Sequence, residues 1–455
     1  MGLVKSFGVI GVLSLSLIAC QNTPQQASMS PSPLSSDSVK ELQPSASASV
    51  SVQDFVEVLS RNFDHFVKLS PTGVSPDYLM ALTDTEFLYI AIDPVSRQNQ
   101  LWTYESEEDK SAVLWEGNEQ IDVNSFRYVK VEGEDGGTVR FSTYLDGTSN
   151  GYAISRQSIR ETDPYEQLSP DKTWSAIVKA DQGIWGVEQK TGKQERWTQG
   201  NQDRQPLWFP DGSQFVYLAS TGVQLGDGAG EATTLAIFDV ESRKTKKLSF
   251  EEGFWGGIRW LTPGKTILAD NGFDDVIGLK VVNLYTNQEK QIYMDDISNY
   301  SNHAYNPILK QLLVSTEGQF VIYDEDGNAL IEQPWGDGWD EYSRKNPDFG
   351  KSKESYEPFY GAGEDGGWYG LHSFAFSPDG KYLAYSIGTM GSSIYDKVQG
   401  SKVILSLADG SNPKLLTNDY LDIRRLQWLP SSHQVIILVG RPNSDDTYLA
   451  WINLE

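Results

Sequence analysis

The chain has 455 residues, 39% hydrophobic and 12% aromatic, ample apolar material for a core in one repeat-built unit. Its 62 acidic against 37 basic side chains give a formal net charge of −25, a surface that repels a phosphate backbone and argues against nucleic acid as a partner while favouring solubility. The only cysteine is Cys20, so no intramolecular disulfide can form. The four histidines, His65, His303, His372 and His433, share no metal-binding spacing, so neither a metal nor any other cofactor is expected.

The N-terminus carries one positive charge, Lys5, and then an apolar segment over 7–19 that is too short to span a bilayer as a mature helix. It ends Leu17-Ile18-Ala19-Cys20, which resembles the lipobox of bacterial lipoproteins. That resemblance implies a signal peptide over 1–19, cleavage before Cys20 and lipid on the Cys20 thiol, and therefore an exported protein held at a membrane. Gln21 after the lipidated cysteine implies the outer membrane in a Gram-negative cell; in a Gram-positive cell the site is the extracytoplasmic face of the cell membrane. A competing reading is a plain secretory signal with an incidental cysteine. Removing 1–19 removes Lys5 and no acid, leaving 36 basic against 62 acidic residues, or −26. Residues 20–50 follow as a Ser-, Pro- and Gln-rich stretch without an aromatic, which cannot bury enough surface to order itself and reads as a disordered tether.

Over 51–69, apolar residues at 52, 55, 56, 59, 63, 66 and 67 follow a helical period, with Ser51 and Asp54 placed as a cap. One amphipathic helix is expected, and 51–75 forms a lead-in to the body. A competing reading makes 63–69 a strand that closes a ring of repeats.

From residue 76 the chain is short strands separated by turn signals. The clearest copy is 374–386, FAFSPDGKYLAYS, which reads as strand, turn, strand: proline presets φ, aspartate bonds its own backbone and glycine takes the positive φ. Related turns stand at 83–86, 169–172, 210–212, 262–264, 306–307 and 430–431, with a less clear unit over 127–147. From Pro170 the turn prolines are spaced 40, 53, 44, 71 and 52 residues apart, the period of radial four-stranded blades with an insertion inside the longest interval. Third and fourth strands follow at 235–250, 320–333 and 403–417. The run at 374–386 and its copies resemble the WD40-like PD40 repeat of TolB-type β-propellers over about residues 76–455. The fold expected is all-β, a single propeller of seven or eight four-stranded blades preceded by one amphipathic helix. The last unit shows three strands, so either an N-terminal segment supplies the fourth or that blade is short.

The insertion at 334–370 has no strand pattern, yet it carries Trp335, Trp339, Tyr342, Tyr356, Tyr360 and Trp368. Those rings seek burial or a ligand, so they are the candidate binding residues, on a segment that serves as a flap over one face or packs on a neighbouring blade. Asp337, Asp340, Glu341, Glu364 and Asp365 lie among them, and carboxylates beside aromatic rings suit a glycan. Asp324 to Asn328 superficially suggests a calcium loop, but the glycine falls too early for an EF-hand and Trp335 stands where the closing glutamate belongs, so a hairpin turn is expected. Gly147-Thr148-Ser149-Asn150-Gly151 matches G-x-S-x-G, but strands flank it on both sides and no hydrolase domain follows the repeats, so serine hydrolysis is not expected.

The resemblance to TolB-type propellers implies a module that binds an envelope protein partner across the mouth of the ring. TolB itself carries an N-terminal α/β domain that has no counterpart here, so a Tol-system role does not carry over. The alternative is a glycan-binding protein or glycan-acting enzyme; an enzymatic role is not favoured, and no residue is assigned to catalysis.

Overall fold

The computed structural model describes residues 51–69, 74–93, 95–129, 138–145, 148–155, 158–163, 165–225, 230–250, 253, 255–272, 276–296, 300–316, 319–334, 369–389, 400–419, 421–442 and 444–454. They form eight antiparallel four-stranded sheets. Seven are built from consecutive strands, over 74–117, 120–162, 167–196, 204–247, 257–296, 300–334 and 369–415, and are blades 1 to 7. Blade 8 takes three strands from 422–453 and its outermost strand, β1 (His65–Lys68), from the other end of the chain. β1 runs antiparallel to Thr447–Asn453, with His65 opposite Trp451 and Lys68 opposite Tyr448. The chain is an eight-bladed β-propeller whose ring is closed by its own N-terminal strand.

The helix before β1 is shorter than its periodicity suggests. α1 (Val52–Asn62) begins at Ser51, whose hydroxyl accepts the Asp54 N–H at 3.1 Å, and it ends where Phe63 turns extended at φ −131°. Residues 63–69 satisfy a helical pattern locally, but pairing with the edge of blade 8 satisfies their backbone and removes an open edge, so the strand prevails. α1 buries Phe55 and Leu59 in the groove between blades 7 and 8, against Val403, Leu421 and Tyr448. Asn62 pins it there, accepting the N–H groups of Asn418 and Asp419 and donating to the Asp419 carboxylate. No helix among the described residues is long and apolar enough to cross a membrane.

Strand direction alternates within each blade, so the connections fall on two faces. First-to-second and third-to-fourth connections open on one, here the turn face; second-to-third connections and those between blades open on the other, the loop face. The proline turns of the repeat therefore all lie on the turn face. In each, a left-handed residue closes the bend: Gly212, Gly264 and Gly380 in three turns, Lys172, Lys310 and Ser432 in the others. The Asp379 carboxylate accepts from Ser377 Oγ at 2.7 Å and the Lys381 N–H at 3.2 Å, and Asp171 does the same with Ser169 and Thr173.

These turns also grip one another. Asn306 donates to the Gly380 carbonyl, Asp379 N–H to Ser432 Oγ, and Ser431 N–H to the Asp84 carboxylate, each at 3.0 Å, which links blades 6, 7, 8 and 1. Glu325 in blade 6 takes Lys265 at 2.6 Å and Thr262 at 2.8 Å from blade 5. Nearer the axis, three indoles bolt first strands together: Trp208 donates to the Gln167 carbonyl, Trp260 to that of Trp208 and Trp428 to that of Ala375, at 2.8–2.9 Å. Each satisfies its indole N–H with a carbonyl of the preceding blade.

Candidate functional site

The two faces differ in what they carry. On the turn face, connections within the blades run two to eight residues. On the loop face, the connection from blade 6 to blade 7 spans 34 residues (335–368), where the other inter-blade connections span two to nine. The second-to-third connection of blade 7 spans ten (390–399), where its counterparts span two to six. Both extensions begin and end at loop-face strand ends of blades 6 and 7.

Trp335, Trp339, Tyr342, Tyr356, Tyr360, Trp368 and Cys20 lie outside the described residues, as do Asp337, Asp340, Glu341, Glu364 and Asp365. Their flanks are placed: Pro334 pairs with Gln319 at the outer edge of blade 6, and Tyr369 pairs with Thr389 at the inner edge of blade 7. The segment therefore leaves from the rim and returns beside the axis.

At the loop-face end of the inner strands lies a set of polar residues that sequence reading missed. Arg259 in blade 5 reaches the Asp270 carboxylate at 3.4 Å and donates to His303 Nε2 of blade 6. A guanidinium can only donate, so Nε2 accepts and the imidazole carries its proton on Nδ1. Burial, helped by the Arg259 charge, pushes the His303 pKa down to about 3, so the ring is neutral throughout the physiological range. Burial pushes the Asp270 carboxyl up, against the pull of Arg259. In blade 4, Arg204 donates to the Trp255 carbonyl at 3.0 Å, and burial raises the pKa of neighbouring Asp203 although the N–H groups of Ser220 and Gly200 bond its carboxylate. In blade 8, Arg424 bonds Asp422 and Thr447 Oγ1, each at 3.0 Å. Each of these cations already has a carboxylate, imidazole or carbonyl against it. The rim is a charge-matched polar surface, with no guanidinium of this set aimed at an unmet anion. Single charged residues in otherwise degenerate strands gave no periodic signal that could have singled them out.

The remaining candidates resolve into ordinary structure. Ser149 sits in a hairpin strand opposite Tyr144 and bonds Tyr165 Oη at 3.1 Å, so G-x-S-x-G here is a strand edge. Asp324 caps a hairpin turn by accepting the N–H groups of Asp326 and Asn328. His65 packs on Trp451 with ring centroids 4.9 Å apart, His433 is exposed in a turn, and His372 lies on the first strand of blade 7. Among the described residues, no three His, Cys, Asp or Glu side chains group closely enough to hold a metal ion.

Fold and face together define an eight-bladed propeller whose long connections all open on one face. No protein-family model matches the chain, and no curated protein matches it. Among solved structures, dipeptidyl peptidase 4 of Porphyromonas gingivalis is 12% identical with a TM-score of 0.47, covering 83% of this chain and 59% of that one. Oligogalacturonate lyase of Vibrio parahaemolyticus is 12% identical with a TM-score of 0.44, covering 80% and 97%. TolB of Acinetobacter baumannii is 14% identical with a TM-score of 0.37, covering 56% and 65%. The chain thus spans less than two thirds of the peptidase and of that TolB, and at these identities the likeness concerns fold alone.

Proposed function

We propose that this chain is a lipid-anchored, extracytoplasmic interaction module: Cys20 holds it to a membrane, 20–50 is its tether, and the propeller binds an envelope protein partner on its loop face. The observation that carries the reading is the asymmetry of the connections. Short, mutually bonded turns occupy one face, while the 34-residue and ten-residue connections stand on the other, both at blade 7. Trp335, Trp339, Tyr342, Tyr356, Tyr360 and Trp368 are the residues assigned to contact, since aromatic side chains supply much of the energy at protein interfaces. The charge-matched rim of Arg259, Asp270 and His303 suits a broad polar contact better than a catalytic pocket.

The test is cross-linking and pull-down from intact cells, comparing the full chain with one lacking 339–363. Partners captured by the full chain and lost with the deletion support docking through this sector. Partners retained by the deletion would overturn it. Capture of no protein by either, with binding in a carbohydrate screen, would replace it with the glycan-binding alternative that the acidic residues among those rings suit. Cys20→Ala should move the protein out of the membrane fraction; unchanged fractionation would overturn the anchor.

A further inference from the structure

Seven of the eight junctions between neighbouring blades contain an apolar cluster, including the one where the two ends of the chain meet, with Phe87, Tyr89 and Trp451 between blades 8 and 1. Among the described residues, the junction between blades 2 and 3 has none. The alternation of side chains explains it. In the second strand of blade 2, Val139 and Phe141 enter the cluster shared with blade 1, which turns Arg140 and Ser142 toward blade 3, with Ala153 and Gly151 opposite them on the third strand. What meets them from blade 3 is a carboxylate beside a single buried aliphatic side chain, Ile177, which pairs with Trp185 and takes no part in the blade 3–4 cluster: Glu166 accepts from Arg140 at 3.2 Å and from Ser175 Oγ at 2.5 Å, and Gln189 donates to Ser175 Oγ at 2.6 Å.

We propose that the blade 2–blade 3 junction is the seam at which the closed ring opens. Parting an apolar junction exposes hydrocarbon to water, at a cost that grows with the area uncovered. Parting an ion pair and hydroxyl bonds exchanges protein partners for water and costs little net. Local opening follows the cheapest contact, so this junction opens before the one closed by β1. In a ring of eight it lies half a turn from the junction of blades 6 and 7. Opening therefore swings two arcs of four blades about the sector that carries the longest connection.

Thiol labelling tests this directly, because in a Cys20→Ala background an introduced cysteine is the chain's only thiol. Ala153 and Ser175 face the seam from opposite sides and are 2% and 0% exposed; Ala91 at the 8–1 junction, and Ala176 and Ala236 at the 3–4 junction, are each 0% exposed. Under native conditions Ala153→Cys and Ser175→Cys should label at least about tenfold faster than Ala91→Cys, Ala176→Cys and Ala236→Cys, since equal burial leaves only opening to expose them. Adding Arg140→Glu, which sets like charges face to face, should speed the seam positions further and leave the others unchanged. Rates within about twofold across all five sites, or Ala91→Cys labelling fastest, would overturn the proposal. Two seam positions keep the test valid if one substitution disturbs folding.

Discussion

Lys172, Lys310 and Ser432 hold a left-handed backbone that Gly212, Gly264 and Gly380 hold at the corresponding turns. An L-residue with a side chain carries a penalty of about 1–2 kcal/mol there. Lys172→Gly should therefore stabilise the fold by up to about 1 kcal/mol, after the greater freedom of glycine in the unfolded chain is counted. Gly380→Ala should cost about 2–3 kcal/mol, because a Cβ at that site adds an overlap to the backbone penalty: it would lie 2.7 Å from Ile308 Cβ and 2.9 Å from Asn306 Oδ1. Denaturant melts of the two variants check both signs, and a neutral Gly380→Ala would contradict the close approach of blades 6 and 7. Glu325 offers a pH signature. Its hydrogen bond from Lys265, with that from Thr262, holds its carboxyl down to about 2. A depressed folded pKa contributes stability above the unfolded value of about 4.3, and that contribution fades as pH falls toward 2. Glu325→Gln should lower stability by about 1 kcal/mol at neutral pH and by little near pH 2. An equal loss at both pH values would mean that the charge is not what joins blades 5 and 6 there.

At the scale of elements, the turn copies were legible because proline, aspartate and glycine are each required by the bend and leave a fixed imprint. The unit over 127–147, whose turn has aspartate and glycine but no proline, was correspondingly faint. Residues 63–69 show the limit of local reading. Phe63, Phe66 and Val67 fit a helix begun at Ser51, and only a strand nearly four hundred positions away, Thr447–Asn453, decides that they extend. The same long-range logic hid the indole bolts, since no feature of Trp208 in sequence names the Gln167 carbonyl as its acceptor. Similarly, the Pro307 repeat begins its strand only at Gln311, leaving Ile308 60% exposed in the turn, because the paired length is set by the neighbouring strand. Ring closure by β1 carries a strong expectation. Removing 51–69 uncovers the edge of the 447–453 strand and deletes Phe55, Leu59, Phe63 and Leu69 from the core. At roughly 1.5–3 kcal/mol per side chain, that loss rivals a typical domain stability of about 5–15 kcal/mol. The truncated protein should aggregate or melt at much lower temperature by calorimetry and size-exclusion chromatography, and a peptide of 51–69 added in trans should restore it. An unchanged melt would show that blade 8 is stable with three strands.

For the whole molecule, the repeat points to a propeller of seven or eight blades and the structure makes it eight, but the site does not follow from the repeat. The aromatic residues from Trp335 to Trp368 drew attention by composition alone, whereas the polar rim of Arg259, Asp270 and His303 exists only once blades 5 and 6 stand side by side. What the ring adds is a direction: it separates a face of bonded turns from a face of long connections, and only the second has surplus chain to offer a partner. The most direct measurement is site-specific photo-cross-linking in intact cells, with the reactive group placed at Val95, Val223 or Met294 on the loop face and at Tyr285 or Ile308 on the turn face, all exposed positions. Adducts to a protein partner from loop-face positions, with none from Tyr285 or Ile308, are the predicted result; adducts concentrated at Tyr285 and Ile308 would contradict the assignment of the loop face as the binding surface.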